Sequence, residues 1–355
     1  MSRRDIYYWK CDRPATFHGT HTGVSRDAGI EQTLRQALAA YFDTDSVALT
    51  LGVGQGNHLT WNAQVAGKAM FVRVENGPEK DGHLAVESAV LERVRGAGVV
   101  TPSVFGCDAT RARVPFAWQA LERMAEPDLN HWFKLGNLDV SRVAFEIGQA
   151  VAKWQAITLE GFGVLDENLC GYRATYADYF HLRLDEHLHF LKARGFLSDT
   201  DEIHAVVQDH HELLALAEGC LVHKDLALWN ILGTRDEITA FIDFDDAVSG
   251  DAMDDLSLLA CFHDAAFLRR AIAGYQSVRP LPREHLRRFW LHLLRNMIVK
   301  AVIRVGAGYF DRDDGFFLIA SGGSGQSLRE TTQARLATAL RGLREGCGLD
   351  ILSEP

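Results

Sequence analysis

Residues 221–256 constrain this chain more than any other stretch. They read Leu-Val-His-Lys-Asp-Leu-Ala-Leu-Trp-Asn-Ile-Leu, then Phe-Ile-Asp-Phe-Asp-Asp-Ala, then Gly-Asp-Ala-Met-Asp-Asp-Leu. Leu221 and Val222 end a short apolar strand, and 223–230 is the loop leaving it. Ile231 and Leu232 begin a hairpin, 233–237 is its turn, and 238–242 returns. A hairpin that returns to its origin brings Asp243 back beside Asn230. A carboxylate and an amide oxygen then face one point, which suits a hard, oxygen-ligated magnesium ion. Asp225 lies one loop away, where it can accept a hydrogen bond from a hydroxyl.

Phosphoryl transfer uses that order: a base Asp, an Asn that holds magnesium, then a metal-holding Asp on the next strand. A single loop Asp is more often a turn or cap residue. The joint pattern of strand, loop, hairpin and an Asp inside an apolar run is far more specific.

The same residues resemble the aminoglycoside phosphotransferase and choline kinase branch of the protein-kinase-like fold. That branch shows His-Gly-Asp-Leu, a later Asn, Ile-Asp-Trp with acidic residues and Ala, then Gly-Asp and a further Asp-Leu. This chain has His223-Lys224-Asp225-Leu226, Asn230, Ile242-Asp243-Phe244-Asp245-Asp246-Ala247, Gly250-Asp251 and Asp255-Leu256. Lys224 departs from the usual Gly and is expected to put a cation beside the base. The resemblance implies an α+β, bilobal protein-kinase-like fold, with a small antiparallel β-sheet N-lobe and a larger, mainly helical C-lobe. Its divisions would be an N-terminal extension (1–45), an N-lobe (46–124) and a C-lobe (125–355). It implies Asp225 as catalytic base, Asn230 and Asp243 on Mg2+, and ATP (GTP as the alternative) as donor. His223, Lys224 and Asp245 would support the loop, while Asp251 and Asp255 would fix the large lobe or cap a helix.

Ahead of that stretch, residues 46–53, 59–65 and 69–75 read as strands. Between the first two, Gly52-Val-Gly54-Gln-Gly56-Asn57 lets backbone N–H groups approach phosphates closely. By itself this pattern is more often a plain hairpin. Within the resemblance, Gly54, Gly56 and Asn57 cover the nucleotide, and Arg73 takes the place of the phosphate-pairing Lys. Phe71 shares its face, towards the adenine. A helix over 83–95 carries Glu87, the expected ion-pair partner of Arg73. The hinge follows at Leu121-Glu122-Arg123-Met124, where the backbone of Glu122 and Met124 would read the adenine edge.

The remainder reads as helix over 31–42, 140–157, 176–193, 201–217, 254–275, 283–305 and 328–344, with a turn at 161–165. The histidines at 181–189 and 204–211 lack the spacing of a metal site. Residues 311–315 lack a calcium loop's ligands, and 321–325 is not a nucleophile elbow. Residues 1–30 are polar, aromatic and without an assignable role.

Composition bounds the function. Of 355 residues, 37 are basic and 47 acidic, a net charge of −10 that argues against a nucleic-acid binder and fits a cationic small partner. Six cysteines form no C-x2-C pair, as expected of reduced thiols in a cytoplasmic protein. The start lacks a signal-peptide pattern, and no apolar run approaches a membrane span. The acceptor is expected to be a hydroxyl of an aminoglycoside-type or similar cationic compound. Asp245, Asp246, Asp264, Asp311, Asp313 and Asp314, with Trp229, Trp290, Tyr309 and Phe310, are the candidates to line its cleft. Residues 71–74 and 221–225 resemble hygromycin-type phosphotransferases without naming an acceptor. The alternatives are a metabolite kinase (choline, amino alcohol, homoserine or sugar), a protein Ser/Thr kinase of the same branch, and a nucleotide-binding pseudokinase.

Overall fold

The computed structural model describes residues 2–13, 28–52, 58–76, 80–312 and 323–352. After a 3-10 turn (Arg3–Asp5), the first α-helix is short, α1 (Trp9–Asp12), and α2 (Ala28–Tyr41) follows. An antiparallel sheet comes next: β1 (Val47–Leu51), β2 (His58–Val65), β3 (Lys68–Glu75), then helix α3 (His83–Gly96), β4 (Val104–Asp108) and β5 (Trp118–Glu122), in the order β1-β2-β3-β5-β4. Ala66 and Gly67 both have positive φ (49° and 79°), the conformation of the tight turn that matches strand twist. Alternation then sorts the faces. Met70, Val72 and Val74 pack with Trp61, Ala63 and Val65 and with Leu34 and Leu38 of α2. Phe71 lies on the same face of β3 as Arg73, opposite that core.

Helices dominate the rest: α4 (Leu129–Lys134), α5 (Val140–Trp154), α6 (Tyr176–Phe180), α7 (Leu184–Ala193), α8 (Asp201–Asp209), α9 (Met253–Leu259), α10 (Ala265–Gln276), α11 (His285–Gly306) and α12 (Gly325–Glu345). α5 and α10 approach closely because glycines meet there: a Cβ on Gly148 would fall 1.8 Å from the Ala271 carbonyl oxygen. Between α5 and α6 lie β6 (Thr158–Leu159), β7 (Phe162–Leu165) and β8 (Gly171–Arg173). The hairpin region supplies β9 (Gly219–Val222), β10 (Ile231–Gly233), β11 (Ile238–Phe241) and β12 (Val248–Gly250). β9 and β12 join the second sheet, ordered β6-β9-β12-β7-β8, while β10 and β11 pair alone.

Three expectations are corrected. Within 161–165, expected as a turn, residues 162–165 form strand β7, which pairs with β12. The helix expected over 176–193 breaks at Arg183, which is left-handed (φ 59°). Buried Arg295 takes the Phe180 and Leu182 carbonyls at 3.1 and 3.0 Å, so those groups cannot continue the helix ladder. The helix expected over 254–275 also divides, because Asp264 caps a new start by accepting from the Phe267 N–H at 2.9 Å. Among the described residues, no helix is long and apolar enough to cross a membrane.

Candidate active site

The hairpin closes as its sequence implies. Ile242 donates its N–H to the Asn230 carbonyl at 3.0 Å, which sets Asp243 beside Asn230. The Asn230 amide nitrogen donates to the Asp225 carbonyl at 2.8 Å and lies 3.4 Å from Asp225 Oδ2. Its nitrogen is thereby committed to the 223–230 loop, so its side-chain oxygen is the atom available as a metal ligand. Asp243 adopts a left-handed backbone (φ 67°, ψ 50°) and keeps its side chain 35% exposed among otherwise buried neighbours. Burial, then the nearby Asp245, pushes its carboxyl up to about 6. An incompletely neutralised carboxylate beside an amide oxygen fits a magnesium ion that takes its other ligands from phosphates and water. Among the described residues, no cluster of three His, Cys, Asp or Glu side chains forms a closed metal cage.

α9 braces the loop from below. Asp255 Oδ2 accepts from the His223 N–H (3.1 Å) and Trp154 Nε1 (2.9 Å), and Oδ1 accepts from the Lys224 N–H (3.1 Å). His223 Nε2 donates to the Ile242 carbonyl at 3.0 Å, and Nδ1 accepts from the Asp225 N–H at 3.3 Å. Both nitrogens are occupied, so His223 ties the loop to the hairpin. Asp251 accepts from the Met253 N–H at 2.9 Å, starting α9.

Lys224 corrects an expectation. Its backbone is left-handed (φ 71°), the conformation glycine adopts without strain. Its ammonium turns away from the base to Asp254 at 2.7 Å, Tyr7 Oη at 3.0 Å and Asn296 at 3.3 Å. The cations at the base are others, which the sequence did not single out. Lys10 Nζ meets Asp225 Oδ2 at 2.9 Å, and Lys300 Nζ meets Oδ1 at 3.1 Å. Together they hold the Asp225 carboxyl far below its usual range, against the opposing effect of burial.

On the nucleotide side, Arg73 pairs with the buried Glu87. It also reaches Asp245 at 3.0 Å and Asp243 at 3.2 Å, linking β3 to the carboxylates that follow β11. Burial raises the Glu87 carboxyl to about 7 despite that pairing. Asp245 further meets His58 Nε2 at 3.2 Å, and its carbonyl accepts from Arg3 at 3.1 Å. The Glu122 carboxylate accepts from the Ser103 N–H (3.1 Å) and hydroxyl (2.8 Å), and its own N–H goes to the Ser103 carbonyl. Glu122 is thus spent on the β4–β5 edge, whereas the Met124 backbone has no partner among the described residues. Gly54, Gly56 and Asn57 lie outside the described residues, as do Asp313 and Asp314.

This geometry has known counterparts. A family model, the phosphotransferase enzyme family (APH), matches residues 49–288. The chain belongs to that family. No curated protein matches it. Its fold is similar to that of the aminoglycoside phosphotransferase APH(4)-Ia, at 18% identity over 90% of this chain and 100% of that one, with a TM-score of 0.61. A thermostable mutant of that enzyme, solved as a ternary complex with ADP and hygromycin B, aligns at 17% identity over 89% of this chain and 99% of that one (TM-score 0.60). A putative fructosamine-3-kinase from Haemophilus somnus aligns at 16% identity over 86% and 97% (TM-score 0.56). The mixed α+β architecture is the protein-kinase-like fold these proteins share.

The family's acceptor side is where this chain departs most from the sequence-based expectation. Asp264 is spent on capping α10, and Asp246 accepts from Trp9 Nε1 at 3.0 Å. Trp290 is fully buried and donates to the Cys347 carbonyl at 2.8 Å, and Phe310 stacks on Phe196. Trp229 stays near the site, edge-on to Phe262.

Proposed function

We propose that this chain transfers the γ-phosphoryl group of ATP to a hydroxyl of a small molecule. The observation that carries the reading is the hairpin closure that sets Asp243 against Asn230, with Asp225 one side-chain contact away. Asn230 and Asp243 would hold Mg2+, which supplies charge neutralisation at the phosphates. Arg73, held by Glu87, steadies the α- and β-phosphates. The open Met124 backbone reads the adenine, and Gly54, Gly56 and Asn57 cover the phosphates. Asp225 orients the acceptor hydroxyl and takes its proton as transfer proceeds. Positioning and charge account for the acceleration, without a covalent enzyme intermediate.

For the acceptor, an aminoglycoside-type cationic compound is the first reading, supported by the hygromycin B complex of a structural neighbour. A metabolite kinase is the second. It is favoured by one observation: Asp246 and Asp264, two of the acidic side chains expected to meet a polycation, are occupied elsewhere, and two lysines face Asp225. A protein substrate is less well served, because Asp243 leads through one 3-10 turn directly into β12.

The test is transfer from labelled ATP to aminoglycosides, amino alcohols, sugars and protein substrates, with Asp225→Asn as control. Transfer to one small-molecule class, abolished in the control, is the expected result. Undiminished transfer by Asp225→Asn would remove the assignment of the base.

A further inference from the structure

The N-terminal segment is built into the active site. Asp12 Oδ2 accepts from the Tyr7 and Tyr8 N–H groups at 2.7 and 3.0 Å, folding the segment into a compact turn. Asp12 Oδ1 receives His187 Nε2 at 2.8 Å and Arg183 Nε at 2.9 Å. The Tyr7 ring stacks on Tyr179 at 4.7 Å, under the Arg295 guanidinium at 3.6 Å. These anchors hold the turn that carries Lys10, whose ammonium reaches Asp225.

Its position on the base is informative. The two oxygens of Asp225 face different surroundings. Oδ2 is the one beside the Asn230 amide, on the metal side, and Lys10 holds it. Oδ1 is held by Lys300, whose ammonium also lies 5.3 Å from the Phe262 ring. Tyr8 is buried, and its hydroxyl stands beside Asp225. Of the two ammonium groups on Asp225, Lys10 is the more exposed, at 20% against 10% for Lys300, and it sits on the oxygen nearer Asn230. An anion arriving between the base and the metal side therefore meets Lys10 before Lys300.

We propose that Lys10, delivered by the N-terminal segment, is a catalytic residue whose ammonium binds the phosphoryl group in flight, while Lys300 stays on the other oxygen of Asp225 as a positioning residue. The inference rests on the phosphotransferase reading above. In the step, the bond from the γ-phosphorus to the bridging oxygen breaks, and its electron pair stays with ADP. The bond to the acceptor oxygen forms, and the acceptor's proton passes to Asp225. Negative charge on the equatorial oxygens is what Lys10 and the Tyr8 hydroxyl meet.

Calorimetry on the full chain tests this without knowledge of the acceptor. The probes are MgADP alone and MgADP with aluminium fluoride, a mimic of the transferring phosphoryl group. Wild type should bind the fluoride complex more tightly than MgADP. Lys10→Met should lose about tenfold or more of that gain and keep its MgADP affinity and melting temperature, and Lys10→Arg should recover part of the gain. Full retention of the gain in Lys10→Met would overturn the proposal. So would equal loss of MgADP binding and thermal stability in Lys10→Met and Lys10→Arg, which marks a structural lysine. Wild type that binds MgADP but gains nothing from aluminium fluoride would overturn the lysine's role and leave the nucleotide site standing. Wild type that binds no MgADP would take down the nucleotide reading itself, and the inference with it.

Discussion

Asp243 is a carboxyl under opposing influences. Burial and Asp245 push it up to about 6, and Arg73 pulls it back. Magnesium needs the deprotonated form, so a raised value makes the proton a competitor near neutrality. Magnesium-dependent ADP affinity should therefore hold above pH 7 and fall as pH drops through about 6, approaching tenfold per unit below it. Titration calorimetry between pH 5 and 8 checks this. Asp243→Asn should bind more weakly and lose that pH dependence; a wild-type affinity flat across the range would contradict the assignment. Legibility in the sequence differs sharply among the residues at this point. Asp225, Asn230 and Asp243 lie within one short stretch, and their spacing maps directly onto a hairpin. Arg73 and Glu87 follow from strand and helix order. Lys10 and Lys300 do not, because the chain separates them from Asp225 by 215 and 75 positions, and a lone lysine carries no pattern.

At the scale of elements, the catalytic loop hangs from α9. Asp255 receives the backbone of His223 and Lys224, and Asp254 receives the Lys224 ammonium from inside the core. Lys224→Gly would restore the residue usual in the family and relieve the left-handed backbone, by about 1–2 kcal/mol. It would also leave Asp254 buried without its cation, at a cost of about 3–5 kcal/mol. The net expectation is a loss of about 1–4 kcal/mol in urea unfolding; a variant as stable as wild type would show that the buried pair contributes nothing. From sequence, this lysine reads as a cation at the base because adjacency is all a sequence offers. Its left-handed φ reverses the direction of the side chain. Strand β7 was hidden for a similar reason. Gly161 and Gly163 look like breakers, and both do have positive φ, yet the pairing with Val248 comes from a segment far along the chain. The helix breaks at Arg183 and Asp264 depend on Arg295 and on a local cap, neither of which disturbs apolar periodicity.

Across the whole molecule, the β1–β5 sheet with α2 forms one hydrophobic core, and the helical region forms another that also takes in the buried face of α3. Arg73 spans the gap between them to the carboxylates that follow β11, and Arg3 donates to the Asp245 carbonyl. Residues 2–13, which appear featureless as sequence, fold against the site and set Lys10 on Asp225. Their aromatic residues signal burial, but nothing local says against what. The proposed division of labour is therefore specific: Asp243 and Asn230 would serve the nucleotide and metal, and Asp225 the acceptor. Binding of magnesium and a non-hydrolysable ATP analogue to wild type, Asp225→Asn and Asp243→Ala, measured by calorimetry, tests that division most directly. The account predicts near-wild-type binding in Asp225→Asn and magnesium-dependent binding abolished in Asp243→Ala. Loss of binding in Asp225→Asn, or its survival in Asp243→Ala, would contradict it.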